Sequence, residues 1–221
     1  MIIGDSATDR SFNLENWNTE IGFLNAKEYN NRDLRTFASV TKPLSSTDSC
    51  FIMMNTPFLT EFKVDKYAAI EVGISYLTMQ EGPLWNAIRG PGLAYSYSLS
   101  CSLSSGYITF MLYRVNPEQQ EEALEQSKRI ISHIPKSIST DTINEAKMNL
   151  IVPLVNSMKT EHDAAISKML SKLASYPDTW HEDLFHAIEK VTLEDIRFAL
   201  DQYVKPLFDS TRSNQVIVKR I

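Results

Sequence analysis

The sequence predicts an α+β fold, with helices layered on one face of a mostly antiparallel sheet. Three observations carry that reading. Apolar and polar residues alternate from Leu93 to Cys101, and a Ser104-Ser105-Gly106 turn then leads into the apolar run Tyr107 to Arg114, which makes a β-hairpin. Segments before and after the hairpin repeat apolar residues at three- and four-residue steps, the helical period. The chain closes on NQVIVKR, a short run suited to a last strand.

Taken in order, residues 1–49 read as an irregular, polar lead-in, with Asn13, Asn16, Asn18, Asn25, Asn30 and Asn31 and a loop signal at Lys42-Pro43-Leu44-Ser45-Ser46. Residues 50–221 form the domain proper. Cys50 to Asn55 is short and apolar enough for a buried strand, ended by Thr56-Pro57. From Asp65 the stripe Tyr67, Ile70, Ile74 and Leu77 predicts a helix, and Leu84, Trp85 and Ile88 predict a second helical piece after Gly82-Pro83. After the hairpin, Asn116-Pro117-Glu118 has the chemistry of a helix start: a side-chain cap, a proline whose missing N–H costs nothing there, and a carboxylate at the positive end of the dipole. Its buried stripe reads as Leu124, Ser127, Ile131 and Ile134. Thr142 with Glu145 and Thr160 with Asp163 have capping-box spacing, Thr192 caps the stripe Leu193, Ile196, Leu200, Tyr203 and Leu207, and Pro153 should kink or interrupt the helix that Thr142 begins.

Composition narrows the function. The 221 residues are 43% apolar and 10% aromatic, enough for a buried core, and 22 basic against 27 acidic residues leave a net charge of −5. That balance argues against a nucleic-acid surface, which needs excess positive charge. Cys50 and Cys101 allow at most one disulfide and do not have the spacing of a thiol-rich metal site. The start lacks a basic region followed by an apolar run, and no stretch of about 18 apolar residues appears, so neither a secretion signal nor a membrane span is expected.

Catalytic motifs are incomplete. His133, His162, His181 and His186 are the only histidines. His181-Glu182 followed by His186 approaches H-E-x-x-H, but the second His comes one position late and rotates off the helix face. For H-x-x-E-H, His186 has Glu189 at the right offset and Lys190 where the second His should be. No G-x-S-x-G elbow occurs, and Gly90-Pro91-Gly92 follows a helix and precedes a strand, the reverse of a phosphate loop. Glu118, Glu121, Glu122 and Glu125 read as a solvated helix face.

Residues 81–95, EGPLWNAIRGPGLAY, are the exception. Gly82, Gly90 and Gly92 are three of only seven glycines, so this stretch needs backbone freedom that most of the chain does not. Arg89 ends a helical piece and Tyr95 begins a strand. Either Arg89 caps carbonyls while Tyr95 packs, or the two converge on one polar point across the turn.

The segment resembles the C-terminal-half signature of the insulinase–pitrilysin (inverzincin) zinc peptidases, in which a helix ending Leu-x-x-x-Arg meets a glycine turn and then a Tyr at the head of a strand. EGPLW-x-x-IRG-x-GLAY is most similar to the large insulinase-like branch of fungi and other eukaryotes, and YRVNPEQ and KVTLEDIRFALDQYVKPLF resemble later parts of the same domain. The resemblance implies a C-terminal domain of a zinc metalloendopeptidase: one of four related α/β domains that close in two halves around a chamber. Arg89 would hold a peptide carbonyl, Tyr95 would donate to the oxyanion, and Gly90 and Gly92 would form the turn against the substrate. Ser96 stands where the family commonly has Gly. Zinc would sit on a partner N-terminal half, and this chain, with no metal of its own and inactive alone, would be a last domain, a truncated product or a member that has lost catalysis. Its partners would be that catalytic half and a peptide, with no nucleic acid or membrane, inside the cell in the cytoplasm or mitochondria. The alternatives are a degenerate peptidase-like scaffold and a hydrolase built on His181, His186 and Glu182.

Overall fold

The computed structural model describes residues 37–58, 63–135 and 137–220, which fall in one compact unit, Phe37–Ile221. Five strands form one open sheet: β1 Ser39–Pro43, β2 Cys50–Pro57, β3 Ala94–Ser102, β4 Tyr107–Val115 and β5 Asn214–Lys219, in the spatial order β1-β5-β2-β4-β3. β1 runs parallel to β5 and every other pairing is antiparallel, as the alternation and the tight hairpin require. Burial alternates along β2 and β4, so that Ile52 faces Leu112, Met54 faces Phe110 and Thr56 faces Ile108 on the covered side.

Among the described residues six helices accompany the sheet: α1 Val64–Thr78, α2 Gln120–Ser132, α3 Thr140–Asn156, α4 Glu161–Leu173, α5 Trp180–Lys190 and α6 Leu193–Ala199, the last continuing into a π turn, Leu200–Val204, and a 3-10 turn, Lys205–Phe208. α1 is buried nearly all round. It lies against β3 on one side and α3, α5 and α6 on the other, which is why Ala68, Ala69 and Val72 are inside along with the expected Ile70, Ile74 and Leu77. The Asn116 side chain accepts from Glu118 N at 3.1 Å, and Thr160 and Thr192 cap α4 and α6 through Asp163 N and Asp195 N, the latter as a full capping box.

Four local readings change. The part of the lead-in that is described contains β1, whose Lys42-Pro43 signal masks a short β-branched start; residues 1–36 lie outside the described residues. α3 begins three residues early, capped by Ser139, whose Oγ accepts from Thr142 N at 3.1 Å. Pro153 does not interrupt α3, which runs on past it to Asn156. The apolar face of β3 is covered at Leu99 (6% exposed) but open at Tyr95 (64% exposed).

Candidate functional site: a clamped corner carrying Arg89 and Tyr95

The corner is built from buried anchors. Leu84 and Ile88 are fully buried before the turn, and Leu93 and Ala94 are 3% exposed after it, so the chain is pinned on both sides while Arg89, Gly90, Pro91 and Gly92 remain in solvent. Between the anchors Trp85–Arg89 winds as a π turn, with Gly90 N donating to Trp85 O at 2.8 Å and Leu93 N to Ile88 O at 2.9 Å. Such wide turns recur at functional sites. Gly92 has φ +79°, a left-handed conformation that needs glycine, and at Gly82 a Cβ would come within 2.7 Å of Met79 O. Gly90 is ordinary right-handed helix, φ −56°, and is exposed. The Asn86 amide closes the start of the loop by donating to Glu81 O at 2.6 Å.

The structure brings Arg89 and Tyr95 together. An Arg89 N–H donates to the Tyr95 carbonyl, and the guanidinium carbon lies 5.2 Å from the Tyr95 ring centroid. So Arg89 caps a carbonyl, but the carbonyl belongs to the strand that carries Tyr95, and the tyrosine does not pack inward. Beside them Thr78, Trp85, Arg89, Ser96 and Tyr97 line a shallow groove of about 510 Å³. Burial pushes the Tyr97 phenol above its usual value, and the nearby Arg89 charge partly offsets that shift. Ser96 is half-buried along this groove.

A third group was missed. Arg114, at the end of β4, sits with its guanidinium carbon 5.8 Å from the Tyr95 centroid, so two cations face one ring. Its φ is +53°, strained for a residue with a Cβ, in a stretch where the β2–β4 register slips by one residue between Cys50 and Ile52. The signal was available: pairing Ala94 with Val115 and Ser96 with Tyr113 sets Arg114 opposite Tyr95, and counting back from the Ser104-Ser105-Gly106 turn gives the same register.

The histidines do not assemble. His181 Nε2 is 2.7 Å from Ser167 Oγ, with its pKa held down by partial burial, and His186 Nδ1 is 3.2 Å from Glu189 Oε2. Among the described residues no group of three or more His, Cys, Asp or Glu side chains is placed to hold a metal ion, and both cysteines are free thiols.

No family model matches the chain. Of curated proteins, it is 25% identical over 181 residues to an uncharacterized protein of Saccharomyces cerevisiae, and 28% identical over 155 residues to one of Caenorhabditis elegans. It covers 17% and 15% of those proteins, from 79% and 69% of its own length. The fold is shared with the periplasmic protease PqqL of Escherichia coli, at TM-score 0.65 and 20% identity over 85% of this chain and 21% of that one. It is shared equally with a peptidase M16 inactive domain from Pseudomonas fluorescens, at TM-score 0.62 and 17% identity over 84% of this chain and 43% of that one. The chain has an insulinase-like fold. It therefore spans about a fifth or less of the curated proteins it matches, and under half of several solved chains that share its architecture. Among the described residues no helix is long and apolar enough to cross a membrane.

Proposed function

We propose that this chain is a substrate-clamping C-terminal domain of a zinc metalloendopeptidase of the large insulinase-like branch, completing a site whose zinc lies on a partner N-terminal half. The supporting observation is the exposed Arg89–Tyr95 pair, held at a corner by buried side chains. One N–H of the Arg89 fork is engaged by the Tyr95 carbonyl, and the others remain to donate to a peptide carbonyl. The Tyr95 hydroxyl has no protein hydrogen bond among the described residues, so it is available to donate to a carbonyl oxygen as that atom gains negative charge. Zinc on the partner half would supply Lewis acidity toward the same carbonyl. A donor fixed before charge develops costs no reorganisation at the moment of reaction. Likeness to proteins of yeasts and a nematode supports a eukaryotic branch; the place of action proposed with it is inside the cell, in the cytoplasm or mitochondria.

In the polypeptide assembled with its zinc-bearing half, Tyr95→Phe should lower kcat by about 10²–10³ and leave KM nearly unchanged, since the hydroxyl acts mainly in the transition state. The 221 residues alone should not cleave a quenched peptide library. A change confined to KM, or chelator-sensitive cleavage by these residues alone, would sink the reading.

A second reading has its own support: one solved domain of this fold, from Pseudomonas fluorescens, is described as inactive. A degenerate peptidase-like scaffold would keep the fold while Arg89 and Tyr95 did nothing. It predicts that no H-x-x-E-H domain is joined to or co-purifies with the chain, and that Tyr95→Phe is silent.

A further inference from the structure

Arg114 takes no part in the proposed clamp, yet it shares the Tyr95 ring with Arg89. The two guanidinium carbons lie 5.8 Å and 5.2 Å from one ring centroid, and all three residues are exposed. Among the described residues neither arginine has a carboxylate within ion-pair distance, and Arg114 donates no N–H to a protein acceptor. Asp48, whose carboxyl is held below its usual range mainly by the Ser49 hydroxyl, feels the Arg114 charge as a minor influence. The chain as a whole carries −5. Two positive charges gathered here without a counter-charge stand apart from that balance, and an arriving anion would offset their mutual repulsion.

The ring decides how those charges are presented. A guanidinium lying over an aromatic ring is attracted through its flat face, while its N–H groups project from the edge. That edge matches the two oxygens of a carboxylate. Tyr95 is fixed at its base by the buried neighbours Leu93 and Ala94, and Arg114 stands opposite it on β4, between the pairs Ala94–Val115 and Ser96–Tyr113. A fork already held against a ring loses less freedom on meeting a carboxylate than a free one does. Beside the ring, the groove past Trp85, Ser96 and Tyr97 follows β3, the outermost strand of the sheet, so a chain laid along it brings its side chains to the arginines.

We propose that the Arg89–Tyr95–Arg114 corner is a seat for a peptide carboxylate, with Arg114 as the residue that selects it. The carboxylate is an Asp or Glu side chain next to the bond held at Tyr95, or the C-terminal carboxylate of a short peptide. This rests on the reading that Arg89 and Tyr95 hold a peptide. A polyanion such as a nucleic acid fits less well, since a chain of net charge −5 repels it beyond the reach of two arginines.

The test is a titration of the 221-residue chain, followed through the amide signals of residues 95 and 114 by nuclear magnetic resonance. Three short peptides of one sequence with blocked ends serve as probes: one carrying Glu, one with Gln in its place, and one with Gln and a free C-terminal carboxylate. At about 0.1 M salt one of the carboxylate peptides should bind about ten-fold or more tightly than the neutral one, and the stronger of the two names the source. The preference should shrink at about 1 M salt, where the Debye length falls to about 3 Å. Arg114→Gln should bring the ratio close to one. Arg114→Gly removes the same charge without asking a Cβ to hold φ +53° and should give the same loss, so misfolding of one variant cannot explain both. Absence of any shift at these signals, equal binding of all three peptides, or a preference that survives both substitutions overturns the proposal. So does a phosphoserine peptide that binds more than about ten-fold tighter than its Glu counterpart, which would seat a phosphate there. The titration reads no cleavage: Tyr95→Phe decides the clamp, and the carboxylate preference decides only what Arg114 selects.

Discussion

Two residues in left-handed backbone flank the Tyr95 ring's surroundings, and they should answer opposite substitutions. Gly92 has φ +79° with open space around its absent Cβ, so Gly92→Ala brings conformational strain and no clash. It should lower stability by about 1 kcal/mol in denaturant unfolding. Arg114 already bears that strain at φ +53°. Arg114→Gly should therefore hold stability or raise it by about 0.5–1 kcal/mol, whereas Arg114→Ala should not. If Gly and Ala behave alike at 114, the strained backbone is not what sets the stability there. The sequence made Arg89 and Tyr95 visible because glycines and a helix-to-strand change frame them. Arg114 stayed hidden because its importance lies in cross-strand register, which is legible only after the hairpin is counted residue by residue.

At the scale of the element, α1 shows how a buried helix accepts an ionisable group. Glu71 lies in its interior face, hydrogen-bonded by Tyr67, and burial raises its carboxyl above the usual range while that bond opposes the shift. The folded state then holds the proton to higher pH than the unfolded chain. Stability falls as pH rises from the unfolded carboxylate value, about 4.3, toward the raised folded one, because the folded form binds more protons in that window. Glu71→Gln should raise the thermal midpoint at pH 7, with the gain shrinking toward pH 4; a gain independent of pH would point to packing instead. Helix starts were readable where a Thr or Asn side chain closes on the third residue, as at Thr160 and Thr192. Thr142 misled because Ser139, three residues earlier, does the same job and takes the cap. What lies on the exposed apolar stripe of α4 was not readable at all, since periodicity says that a face is apolar and not what covers it.

For the whole molecule, the α+β class and the hairpin followed from alternation and turn chemistry, while the strand order did not. β1 was unreadable because all five of its residues are exposed: it has no apolar face to leave a pattern. Its work is to cover the edge of β5, with Lys42 and Pro43 as residues that discourage further pairing. Val40→Pro with Thr41→Pro, which breaks that pairing, should cost only about 1–2 kcal/mol, a few degrees in thermal midpoint. Light scattering at fixed concentration should nonetheless rise as β5 becomes an open edge; a large loss of stability without self-association would show that β1 belongs to the core.

The place of β5 between β1 and β2 also sets a schedule for synthesis. β2 leaves the ribosome before β5, and its partner on that side is not made until some 160 residues later, from Asn214 onward. At ordinary translation speeds that is roughly 8–30 s. Through that interval the nascent chain presents the unpaired edge of β2, bearing Ile52 and Met54, beside a finished hairpin. A chaperone that binds extended apolar segments would find its target there, and slow codons shortly before Asn214 would lengthen the exposure.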